Sequence, residues 1–166
     1  EYSQPFRRDR RSEYENRNGY PADRFPEENF YEVSFSKEAL GWGAMSLEEQ
    51  LNQIGPSFHE KLFELIERSG MDNKDVWKAA NLDRKHFSKI QCDSHYHPKK
   101  KTVMALCIAL KLNLEQAKDL LARADWAFSP SSKVDLIVQK ALIDRQYDIM
   151  QLNTVLFKYT NEILGV

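Results

Sequence analysis

Between Asp83 and Lys101 the chain sets six Lys or Arg residues against two Asp, and this local excess is the strongest chemical signal it carries. Arg84, Lys85 and Lys89 fall in one short stretch with His86 and Ser88 among them, and Lys99, Lys100 and Lys101 follow a loop later. Side chains of this kind neutralise phosphates, which supplies much of the affinity of proteins for nucleic acid. Cys92, His95 and His97, with His86 nearby, have ligand chemistry, but no second pair at finger-like spacing accompanies them, so no metal is expected. The chain has no nucleophile elbow, phosphate-cradling glycine loop or metalloprotease helix, and neither an enzyme nor a bound cofactor is expected.

The elements that must position these residues are helices. Asp72 is placed to cap a helix over roughly Asn73–Ala80, with Val76 and Ala80 inward, and Asn81 suits a left-handed turn. Asp83 then caps a helix from Arg84 to about Gln91, with Phe87 and Ile90 inward and the basic residues outward. Upstream, Ser46-Leu47-Glu48-Glu49 and Ser57-Phe58-His59-Glu60 both have the spacing of a capping box. The second opens a helix with Phe58, Leu62, Leu65 and Ile66 on one face and Gly70 at its end. Downstream, Thr102–Leu112 predicts a helix with Val103, Leu106, Cys107 and Leu110 inward. Asn113-Leu114-Glu115-Gln116 is a further capping box, opening a helix that carries Ala117, Leu120 and Leu121. After Ser129-Pro130-Ser131-Ser132, two more periodic runs, Lys133–Arg145 and Ile149 to about Leu164, either close the bundle as a helical hairpin or form a dimer face.

The expected architecture is therefore all-α: a five-helix bundle plus two C-terminal helices, in a domain over residues 46–166 with its core at 57–125. Residues 1–45 read as an irregular arm. They lack helical or strand periodicity, mix turn formers with the Arg7–Arg11 cluster, and still hold Tyr2, Phe6, Tyr14, Tyr20, Phe25, Phe30, Tyr31 and Phe35, an aromatic content suited to docking on a surface. A short helical turn is expected around Lys37–Leu40, ended by Gly41-Trp42-Gly43. The net charge of −1 hides an asymmetry: residues 1–56 carry seven basic and eleven acidic residues, so the remainder is net positive. Cys92 and Cys107 lack Cys-x-x-Cys spacing, no run of about eighteen apolar residues exists, and no signal peptide is visible, so a reduced, cytoplasmic protein without a membrane span is expected. Because the chain opens on Glu1 rather than Met, it reads as a processed or excised piece of something longer.

The order of elements over residues 57–125, about two-fifths of the chain, resembles the lambda-repressor-like helix-turn-helix domain of the xenobiotic-response-element (XRE) type of bacterial regulators. The likeness rests on Gly70-Met71-Asp72-Asn73, Asn81-Leu82-Asp83, Phe87-Ser88-Lys89-Ile90, Pro98 and the run Met104–Leu114. It implies double-stranded DNA as partner, with the third helix in the major groove, Asn73 near a phosphate or base, Arg84, Lys85, His86, Ser88 and Lys89 toward the groove, and Lys99, Lys100 and Lys101 on the backbone. A homodimer reading two half-sites is compatible with it. Two positions depart from the pattern: Asn73 replaces the usual Gln, and Trp77 stands where the family carries a small residue packed on the recognition helix, so Trp77 must swing outward or push the helices apart. Trp77, the arm and the helical tail support the rival expectation, a protein-interaction adaptor of a bacterial signalling or phage-defence system. Exposure of Trp77 and continuity of the basic surface are the discriminating observations.

Overall fold

The computed structural model describes residues 45–165, and every regular element among them is helical. In chain order these are α1 (Leu47–Leu51), α2 (Phe58–Ser69), α3 (Asn73–Ala79), α4 (Arg84–Cys92), α5 (Lys100–Ala109), α6 (Leu114–Arg123), α7 (Lys133–Ile143) and α8 (Ile149–Thr160). The chain divides into two compact units, Glu1–Ile54 and Gly55–Val166. In the first, the described residues form α1, a short helix opened by the Ser46/Glu49 capping box. The arm, its Arg7–Arg11 cluster and aromatics, and the expected turn at Lys37–Leu40 lie outside the described residues.

In the second unit, reciprocal hydrogen bonds start the helices where the sequence places them. Ser57 Oγ accepts the Glu60 N–H at 3.3 Å while Glu60 accepts the Ser57 N–H at 2.7 Å, and Asn113 and Gln116 do the same for α6. Asp72 departs from this pattern: it occupies the N-cap of α3 but its side chain makes no capping bond. Four helices then stop in one common way. Asn81, Lys111, Asp125 and Arg145 each take a left-handed conformation, with φ between 52° and 58°. The following N–H groups of Leu82, Leu112, Trp126 and Gln146 each reach back five residues to a helical carbonyl at 2.8–3.1 Å. This is the Schellman arrangement, in which the reversal satisfies carbonyls the helix end leaves open.

The core is one cluster that runs from Phe58 to Leu164. At its centre lies α5, packed by α3, α6 and α8. Amphipathic periodicity predicts four inward residues there, but every position from Thr102 to Leu110 is buried. A helix apolar on all sides is stable only when covered on all sides. Burial also pushes the Cys107 thiol up to about 12, since a thiolate has no solvation there. The last two helices pack on each other, α7 reaches α6, and α8 reaches α5, so the hairpin closes the bundle. No described helix is long and apolar enough to cross a membrane.

Candidate nucleic-acid interface

The geometry of α4 follows from two buried anchors. Phe87 and Ile90 are almost fully buried, and a helical repeat of 3.6 residues then turns Arg84, Lys85, Ser88 and Lys89 to the exposed side. Asp83 starts the helix by accepting the Lys85 N–H at 3.3 Å. Arg84, Lys85 and Lys89 make no ion pair among the described residues, so no carboxylate offsets their charge. His86 is partly buried, meeting the Tyr96 ring edge-to-face at 6.3 Å, and its buried Nε2 has no hydrogen-bond partner. Lys89 Nζ stands 4.7 Å from the centre of the same Tyr96 ring, a cation–π distance. Tyr96 thereby ties the polar loop to α4.

The three consecutive lysines have three different fates. Lys99 is the N-cap of α5 and is exposed, with no ion pair among the described residues. Lys100 turns to the carboxylate of Asp135, which is buried and also accepts the Ser129 N–H at 2.6 Å and the Ser132 hydroxyl at 3.1 Å. Such a pair fastens α5 to α7, and it leaves Lys100 engaged internally, where the sequence suggests a backbone contact. Lys101 pairs with Glu162 and lines the same groove as Lys85 and Lys89. Lys85, Lys89, Lys99 and Lys101 consequently surround a single open groove of about 550 Å³, with Tyr96 on its wall and Ile163 on its far edge. Four ammonium groups around one concavity, offset by one carboxylate, form a site for an anion or a run of anions.

Asn73, the first residue of α3, is partly buried and does not line this groove. Trp77 is also partly buried and packs against the core, with Lys78 Nζ 5.8 Å from its ring. Its carbonyl accepts the Leu82 N–H at 2.8 Å. Among the described residues no three His, Cys, Asp or Glu side chains converge as a metal site requires. Neither a family model nor any curated protein or solved structure matches the chain. Sequence reasoning missed Tyr96, Glu162 and Ile163. Tyr96 carried a signal, as the one aromatic in a polar loop between two basic clusters; the other two fall in the run that the periodicity carries to about Leu164, whereas α8 ends at Thr160 and the chain reverses at Asn161.

Proposed function

We propose that the chain binds nucleic acid, with duplex DNA as the preferred form, through the exposed side of α4 and the adjoining groove. The observation that carries this reading is the charge of Lys85, Lys89 and Lys99, none of them in an ion pair among the described residues, around a single concave surface, with Arg84 exposed on the same helix. On this reading α3 and α4 act as a helix-turn-helix of the XRE type. Phosphates meet Lys85, Lys89 and Lys99, and Arg84, at the N-terminal end of α4, reaches for a base edge. The role is that of a transcriptional regulator or a DNA-targeting module. The packing of Trp77 against the core is consistent with this, because an anchor residue for a protein partner needs an open face.

Fluorescence anisotropy of the chain on random duplex DNA at two salt concentrations tests the reading. Tight binding is expected at low salt, and Arg84→Ala/Lys85→Ala/Lys89→Ala together should flatten the salt dependence by roughly 0.9 for each phosphate contact removed. Absence of binding at low salt sinks it.

One observation favours a second reading, a protein-interaction module. Leu136 on α7 and Val155 on α8 are exposed and line an apolar groove of about 380 Å³ between the two helices. A face of this kind suits a second copy of the chain. Sedimentation that reveals self-association abolished by Val155→Glu, together with no affinity for DNA, would replace the first reading with this one.

A further inference from the structure

The groove beside α4 has a second wall that belongs to neither α4 nor α5. After α8 the chain reverses at Asn161, whose φ of 59° is left-handed, and residues 162–165 run back toward the turn between α3 and α4. Leu164 is fully buried there and is held at both backbone groups: its N–H donates to Asn153 Oδ1 at 2.8 Å and its carbonyl accepts from Asn153 Nδ2 at 3.0 Å. Asn81 Nδ2 donates to the same carbonyl at 3.3 Å. Gly165 has φ 83°, and a Cβ there would lie 2.2 Å from the Asn81 carbonyl oxygen, so only glycine fits. These anchors on either side fix Glu162 and Ile163 at the edge of the groove.

Glu162 meets Lys101 at this edge, and the pair contrasts with its neighbour. The Asp135 side chain is 3% exposed and takes two further hydrogen bonds, so Lys100 is locked. The Lys101 and Glu162 side chains are 47% and 46% exposed, open to water and therefore open to exchange. Lys101 is the one groove lysine with an acidic partner among the described residues.

Building on the nucleic-acid reading above, we propose that Glu162 is an internal competitor for the bound polyanion. In the free chain it occupies Lys101 and lowers the charge of the groove, and on binding a backbone phosphate takes Lys101 from it. The C-terminal segment thereby sets the affinity of the surface it flanks, and the anchoring of Leu164 keeps the competitor in place.

The test is a cycle of four full-length chains, wild type, Glu162→Gln, Lys101→Ala and the double variant, titrated onto labelled duplex DNA at low and moderate salt. Thermal melting beforehand confirms that each is folded. Glu162→Gln should bind roughly two- to fivefold tighter at low salt, and Lys101→Ala should erase most of that gain. Equal affinity of wild type and Glu162→Gln overturns the proposal while leaving the nucleic-acid reading standing. A gain that persists undiminished in the Lys101→Ala background also overturns it, because Glu162 would then act as a general repulsive charge. If no chain binds at low salt, both the reading and the proposal fall; if only Glu162→Gln binds, both are supported.

Discussion

Asn153 holds Leu164 by both of its backbone groups, across a separation of eleven residues. A side-chain amide mimics the peptide pairing of a sheet here, satisfying a buried donor and a buried acceptor where no strand is present. Asn153→Ala leaves the Leu164 N–H without a partner in an apolar setting and the carbonyl with only the 3.3 Å bond from Asn81. It is expected to destabilise the fold by about 1–3 kcal/mol, the cost of one buried donor left unsatisfied. Urea denaturation followed by circular dichroism checks this, and a change below 0.5 kcal/mol, on the order of a surface substitution, would show that the segment detaches freely.

The two lysine pairs at the start of α5 should differ in weight. Asp135→Ala removes the carboxylate that receives Lys100 and two donors from the loop before α7, and breaking such a buried pair costs about 3 kcal/mol. Lys101→Ala removes a half-exposed pair and should cost under about 1 kcal/mol. Melting temperatures of the two variants, measured side by side, should separate clearly; similar values would contradict the burial difference.

Lys111 and Arg145 occupy left-handed positions that glycine takes without strain. Lys111→Gly and Arg145→Gly should each stabilise the chain by up to about 1 kcal/mol, since the relief of backbone strain exceeds the added freedom of the unfolded chain. A fall in stability in both variants would mean that these long side chains contribute packing their φ angles do not reveal.

Acid should weaken α2 in a defined direction. Glu60 lies below the ordinary carboxylate value because the Ser57 backbone N–H and then its hydroxyl hydrogen-bond the charged form, and Glu64 lies below it because Lys61 donates to it. A carboxyl depressed in the folded state contributes stability that is present above its unfolded value and is lost as pH falls through the folded one. Melting temperature should therefore decline as pH drops below about 4.5, the ordinary glutamate range, and Glu60→Gln should shallow that decline. An unchanged slope in the variant would remove Glu60 from the account.

The helices were legible because their starts are encoded locally. Ser57 with Glu60 and Asn113 with Gln116 sit three residues apart, and each pair forms the box its spacing predicts. Positions governed by distant partners were not legible. Lys100 looked like its neighbours until Asp135, thirty-five residues on, took it out of the basic surface. The complete burial of α5 was hidden for a related reason, since amphipathic periodicity assigns one inward face and cannot register that α8 covers another side. The basic side chains of α4 were foreseeable from Phe87 and Ile90 alone, because two buried positions three residues apart fix the outward face of a short helix. The wall formed by residues 162–165 was not, because the apolar spacing continues the helical period to about Leu164, whereas the chain reverses at Asn161 and is held there by side-chain amides.

The placement of the two thiols gives the chain a matched pair of reporters. Cys92 is exposed at the end of α4, while Cys107 is fully buried at the centre of α5, its thiol pushed up to about 12. An alkylating reagent at neutral pH should modify Cys92 directly. It should reach Cys107 only when the bundle opens, so the rate of the second modification reads the frequency of global unfolding. A dye on Cys92 would stand beside the basic surface and register what docks there, leaving Cys107 as a clock on the integrity of the fold.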